Sequence, residues 1–229
     1  MRLEKLFLKM FQIEPRVPVR LLLDTSSSMS ATSDEKFDYA RKLAAALCYV
    51  ALVRLDTISI QPFSDGFGER FICGGGRHRF SPVMDYLGHL QTGGHTSFYE
   101  TVRQFISTYS QRGLLIVVSD FLDDNGCEKA LQYLTDFGHE LLLVQVWSEE
   151  DRRPPWNGEL ELVDSESGSR VKMQIDDGAR ERYTAAFDHY AEKLQKIAVS
   201  NNGRYVSVST TMPLEDVIFG AMVRAKGLV

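Results

Sequence analysis

Asp24 ends an apolar run, Leu21-Leu22-Leu23, and four hydroxyl residues follow it, Thr25-Ser26-Ser27-Ser28. Arg20 apart, Val17 to Leu23 is apolar enough for a strand buried on both faces of a parallel sheet. Such a strand delivers its last residue to the carboxyl edge, where open α/β sheets bind ligands. Asp24, Ser26 and Ser28 then share one tight loop on which every second side chain offers an oxygen. Carboxylate and hydroxyl oxygens are hard ligands that suit Mg²⁺, Mn²⁺ or Ca²⁺ and suit zinc poorly. The plainer reading of Asp24 is a turn former or helix cap after a strand.

The spacing Asp-x-Ser-x-Ser resembles the metal-ion-dependent adhesion site of von Willebrand factor type A domains. That motif also needs a Thr from a second loop and an Asp from the end of a later strand. Thr96 in Gly93-Gly94-His95-Thr96 and Asp120, after Leu114-Leu115-Ile116-Val117-Val118-Ser119, answer to those requirements. Asp-x-Ser-x-Ser alone is a weak pattern; three parts in order, two of them at the ends of apolar runs, make a strong one.

The elements that must position these residues alternate. After the Asp24 loop, Thr32-Ser33-Asp34-Glu35 reads as a capping box. Phe37, Ala40, Ala44, Leu47 and Ala51 then recur at helical spacing. A second strand is expected over Asp56 to Phe63, a short edge strand around Arg70 to Cys73, and a short helix over Pro82 to Leu90. Ser97 to Glu100 forms another capping-box pattern, so a helix is expected from about Phe98 to Gln111, with Thr96 just before it. A buried strand over Gly113 to Ser119 ends at Asp120. Asp123 and Asp124 read as caps for a helix over Gly126 to Phe137. A further strand spans Glu140 to Trp147. Glu159 to Val163 and Arg170 to Ile175 alternate around a turn-rich segment, so 149–176 reads as an inserted β-hairpin too small to bury a core alone. A long helix follows Asp176-Asp177, then a strand from Tyr205 to Val208 and a terminal helix through Leu214, Ile218 and Ala225. Residues 1–16 read as an amino-terminal arm or edge strand before a domain spanning 17–229. This rhythm gives a doubly wound, mostly parallel sheet flanked by helices. Asp24 and Asp120 both end strands, so they can meet at one edge of it.

Bulk properties narrow the function classes. The chain has 229 residues, a net charge of −5, and no Lys/Arg-rich run that would support nucleic-acid binding. Cys48, Cys73 and Cys127 are scattered, which fits packed thiols in a reducing cytoplasm and not a zinc site. No stretch approaches the roughly 20 apolar residues of a membrane span.

A narrower likeness covers nearly the whole chain. It resembles the carboxy-terminal core of the bacterial family known as domain of unknown function 58, which contains a type A domain. The matching stretches include Leu6-Phe7-Leu8-Lys9-Met10-Phe11, Leu21 to Met29, Phe37 to Leu47, Val118-Ser119-Asp120-Phe121, Gly138-His139-Glu140 and Thr210 to Asp216. Relatives usually carry an upstream segment, and this chain starts after it, as a short or a truncated member would. In the site the family implies, Ser26, Ser28 and Thr96 contact a divalent cation directly. Asp24 and Asp120 act through waters or outer hydrogen bonds. One position stays open for an Asp or Glu of a protein partner. The expected rim is Thr25, Met29, His95, Ser97, Phe121 and Asp123. The resemblance also implies work beside a MoxR-type AAA+ ATPase, as an adaptor.

Two other functions compete. In a Mg²⁺-dependent phosphohydrolase of haloacid-dehalogenase type, Asp24 would be the nucleophile. Ser26 then stands where a general acid is required, and no Lys reads as suitably placed. Alternatively, a site that holds no metal would leave the protein as a scaffold.

Overall fold

A computed structural model describes residues 18–31, 35–109, 111–123, 127–164 and 168–222. The expectations for the amino-terminal arm, the Thr32–Asp34 cap, Asp124 and Gly126, the hairpin tip and Ala225 fall outside the described residues.

The strands are set by apolar runs. Those of the main sheet are β1 (Pro18–Asp24), β2 (Thr57–Phe63), β3 (Phe71–Cys73), β4 (Leu114–Ser119), β5 (Glu140–Trp147) and β8 (Arg204–Ser209). Their order is β3-β2-β1-β4-β5-β8, parallel except for β3, which pairs antiparallel with β2. The chain runs outward from β1 through β2 in one direction and from β4 through β5 in the other. The reversal lies between β1 and β4, the place where doubly wound sheets open a crevice at their carboxyl edge. With Leu23 opposite Val118 in the β1–β4 register, Asp24 is brought level with Ser119 and beside Asp120.

The faces of the sheet carry separate cores. Leu21 and Leu23 join one cluster with α1 (Glu35–Val53) and α2 (Phe80–His89). Leu22 points the other way, into a cluster with α3 (Phe98–Thr108), α4 (Cys127–Asp136) and α6 (Asp177–Ser200). Alternation along a strand buried on both faces requires this division. Each fully buried Leu contributes about 1.5–3 kcal/mol relative to exposure, so β1 is held firmly where it ends in Asp24.

The hairpin strands β6 (Gly158–Val163) and β7 (Arg170–Ile175) form a separate antiparallel pair. They are preceded by a short helix, α5 (Glu149–Arg152), absent from the sequence reading. Its signal is local: Ser148 and Asp151 form a reciprocal capping box. Asp176 caps α6 by accepting a hydrogen bond from the Ala179 backbone NH at 2.6 Å. After α7 (Leu214–Asp216) the terminal helix continues as π-helix over Val217–Met222, where α-helix was expected.

Candidate metal centre

The Asp24 loop turns immediately into one turn of 3-10 helix, Ser27–Ser30. The backbone NH of Ser26 donates to Asp24 Oδ1 at 2.9 Å, and the Ser119 hydroxyl donates to Asp24 Oδ2 at 2.5 Å. Both Asp24 oxygens are engaged, and the side chain is fully buried. Burial pushes its pKa up to about 7, and the charge of Asp120 adds to the rise; hydrogen bonds from Ser119 and Ser26 oppose it. The Ser26 and Ser28 hydroxyl oxygens lie 3.0 Å apart.

The second loop is fastened to the first by backbone bonds. Ser27 NH donates to Gly94 C=O at 3.0 Å, and Gly93 NH donates to Thr25 C=O at 2.7 Å. These tie the loop that carries Thr96, itself half-buried, to the Asp24 loop. Gly94 has φ +82°, and an added Cβ would sit 2.9 Å from the Asp65 carboxylate oxygens, so this bend needs glycine. The same Asp65 accepts from the backbone NH of His95.

Asp120 follows β4. Its Oδ1 accepts from Leu122 NH at 3.1 Å and its Oδ2 from Lys36 Nζ at 2.9 Å; its backbone carbonyl accepts from Gln145 Nε2 at 3.2 Å. Phe121 then takes φ +58°. Left-handed backbone in a bulky residue costs about 1–3 kcal/mol and persists only where surroundings over-determine it. Here Phe121 NH donates to Ser119 Oγ at 2.8 Å, while Tyr190 OH donates to Phe121 C=O at 2.6 Å.

Asp24, Ser26, Ser28 and Asp120 thus converge at the switch point, with Thr96 on the fastened neighbouring loop. The expected rim divides. Thr25, Met29 and Phe121 are buried, in contrast to the accessible positions anticipated for them. Thr25 Oγ1 donates to Phe63 C=O at 3.0 Å, and Met29 and Phe121 belong to the two cores. His95 is exposed, and Ser97 and Asp123 are half-exposed; Leu122, 40% exposed, stands on the rim without having been anticipated. The capping box at Ser97 does not form. Ser97 makes no side-chain cap, and Asp123 Oδ2 instead accepts from Phe98 NH at 3.0 Å, so Asp123 caps α3.

The largest omission of the sequence reading is Lys36. It lies in the first turn of α1, is 4% exposed, and forms ion pairs with Asp120 at 2.9 Å and Asp151 at 3.1 Å. A lysine is therefore placed at the acids after all. Burial works against its charge, but Asp120 and Asp151 more than offset it and hold its pKa above the ordinary lysine value. A signal was present: a cation in the first turn opposes the helix dipole, and Lys36 lies one helical turn before Ala40 on the buried stripe.

The donor set fits a hard divalent cation. Among the described residues no three His, Cys, Asp or Glu side chains cluster as a metal site, so the direct ligands would be hydroxyls. Octahedral coordination at about 2.1 Å sets adjacent oxygens about 3.0 Å apart, the spacing of Ser26 and Ser28. Asp120 and Asp151 share one ammonium, Lys36, and the buried carboxyl of Asp24 feels the charge of Asp120. Fully ionised, the group carries two uncompensated negative charges, a burden that burial makes costly. A nucleophilic role for Asp24 fits poorly, because both its oxygens accept hydrogen bonds and none of it is exposed.

Residues 1–193 match the family described as Protein of unknown function DUF58. The chain belongs to that family. No curated protein matches it. Among solved structures, it is similar to the conserved hypothetical protein BatB from Bacteroides thetaiotaomicron, with 16% identity over 91% of this chain and 96% of that one, TM-score 0.51. It is also similar to the pilus adhesin SpaC from Lactobacillus rhamnosus GG, with 12% identity over 95% of this chain and 31% of that one, TM-score 0.54. A third likeness is to the SpRpn10 VWA domain, 12% identical over 93% of this chain and 97% of that one, TM-score 0.48. At such identities the structural likenesses speak to fold alone. The DUF58 chain has a doubly wound, mostly parallel α/β sheet flanked by helices, with a separate antiparallel hairpin. Among its described residues no helix is long and apolar enough to cross a membrane.

Proposed function

We propose that this DUF58 chain is a metal-dependent protein-interaction module. Ser26, Ser28 and Thr96 would hold Mg²⁺, or Mn²⁺ or Ca²⁺, with Asp24 and Asp120 behind them. The observation that carries the reading is the pair of hydroxyl oxygens 3.0 Å apart, set over two buried acids at the switch point of the sheet. Neutral ligands leave such an ion strongly electrophilic, and an open position favours an anionic oxygen. In a protein partner that oxygen belongs to Asp or Glu. At net charge −5 the chain does not steer an acidic partner from a distance, so the contact at the site itself must supply recognition. A MoxR-type AAA+ ATPase, or a substrate it remodels, is the partner proposed from the family resemblance, with this chain as adaptor.

Titration of chelator-stripped protein with Mg²⁺, Mn²⁺ and Ca²⁺ in a calorimeter tests the reading. One site is expected, lost in Ser28→Ala and Thr96→Ala variants that keep their cooperative unfolding. Co-purification with a MoxR-type ATPase should then disappear in chelator and return with Mg²⁺. No heat from any of the three ions at millimolar concentration would refute metal dependence.

A further inference from the structure

Lys36 does more than neutralise an acid. Its ammonium lies between acceptors on two different elements: Asp120, on the loop that closes the site, and Asp151, in α5 at the root of the hairpin. Asp151 is well anchored. Its Oδ2 also accepts from Ser148 NH at 2.8 Å, and its backbone carbonyl accepts from Tyr183 OH of α6 at 2.9 Å. The next residue, Arg152, forms a two-pronged pair with Asp188 of α6 at 2.8 and 2.9 Å. Both ends of the hairpin therefore run into one knot of α5 and α6; Tyr190 of α6 reaches the Phe121 carbonyl, and Lys36 is the charged side chain that joins the knot to the acid of the candidate centre.

A buried ammonium is a resident cation. A divalent ion drawn by the same acids would repel it and compete with it for the charge of Asp120. Asp151 offers the lysine a second acceptor without any backbone movement. We propose that Lys36 sets the cation affinity of the centre by competing for Asp120, and that its transfer toward Asp151 carries the state of the centre to the root of the hairpin. This rests on the metal-binding reading above. Because coupling is reciprocal, whatever a partner does to the hairpin root changes cation affinity by the same factor. The two-acceptor lysine is the element both sites bias, which a claim of coupling requires.

The test compares Mn²⁺ and Mg²⁺ affinities by calorimetry in the full chain. Lys36→Met alone leaves the charges of Asp120 and Asp151 uncompensated and threatens the fold, so the decisive variant is Lys36→Met with Asp151→Asn, which removes one charge of each sign. It should bind at least about tenfold more tightly than the wild-type chain, the factor each 1.4 kcal/mol of relieved competition represents. Lys42→Met, an exposed charge removal on the same helix, should change affinity less than about twofold, in keeping with screening of exposed charges. Amide exchange at residues 149–153 should respond to cation in the wild-type chain and not in the double variant. Equal affinities in the wild-type chain and the double variant would overturn the competition. An identical exchange response in both would overturn the relay. Absence of binding by the wild-type chain and every variant would overturn the metal reading itself, and this inference with it.

Discussion

At the carboxyl edge of the sheet, Asp24 and Asp120 are buried among donors that satisfy their oxygens; at the amino edge, Arg20 and His139 are buried among rings. Arg20 Cζ lies 5.0 Å from the Tyr109 ring centre, Arg70 approaches the same ring at 5.6 Å, and His139 meets Phe105 edge-on at 5.3 Å. Arg20 Nη1 and His139 Nδ1 are buried with no hydrogen-bond partner among the described residues. A cation can be accommodated by a π face, which asks little of the backbone. A carboxylate accepts only, so it needs NH and OH groups aimed at it, and the loops must be built to supply them. The edge with constructed loops is the one that can also hold something else.

The comparison is sharpened most by pH, in chelator. Asp24 is raised from 3.8 to about 7, so between those values the fold keeps a proton that the unfolded chain gives up. Its contribution is fully present below about pH 3.8 and is lost as pH rises through about 7, on the order of 4 kcal/mol in all. His139 has the opposite sign. Burial and the charges of Arg20 and Arg112 lower its pKa, against a backbone hydrogen bond with Gly113, so its contribution is present above its ordinary value of 6.5 and declines as pH falls. Urea unfolding at several pH values should show the Asp24 slope in the wild-type chain and its absence in Asp24→Asn. Parallel profiles for the two would break the contrast between the edges.

A smaller effect belongs to Ser119. Its hydroxyl donates to Asp24 and accepts from Phe121 NH, so Ser119→Ala strands two buried groups and should cost about 2–3 kcal/mol in denaturant unfolding at neutral pH. A loss under about 0.5 kcal/mol would mean the acid is held by other donors. Smallest of all, Arg20→Met should alter stability by no more than about 1 kcal/mol, with either sign, because an apolar chain of similar length replaces a guanidinium that burial penalises. A cost above about 2 kcal/mol would show that the amino edge satisfies its charges as fully as the carboxyl edge does.

The sequence was most legible where one physical effect dominates. Apolar runs set β1, β4 and β5, and the acids ending the first two could be placed at one edge before any coordinates. Local patterns failed where tertiary competition decided. Ser97 and Glu100 have capping-box spacing, yet Asp123 reaches Phe98 NH from another loop. Met29 and Phe121 lie in loops, but the loops fold back over the two cores and bury them. Lys36 shares the spacing of the buried stripe of α1, but the partners that give it a role come from segments far along the chain. Alternation and periodicity carry no information about such long-range polar pairing.

The fastening between the two site loops runs through two main-chain bonds, Ser27 NH to Gly94 C=O and Gly93 NH to Thr25 C=O, and one side-chain contact, Ser30 Oγ to Thr92 Oγ1 at 2.7 Å. The main-chain part of this clasp is blind to side-chain identity. Ser27 and His95 can therefore drift over evolutionary time, changing the face shown to a partner, while the main-chain bonds keep the spacing between the loops. Gly94 is the exception, since its bend and the nearby Asp65 carboxylate admit no side chain. One scaffold can therefore be re-addressed to new partners by substitutions around a fixed buckle.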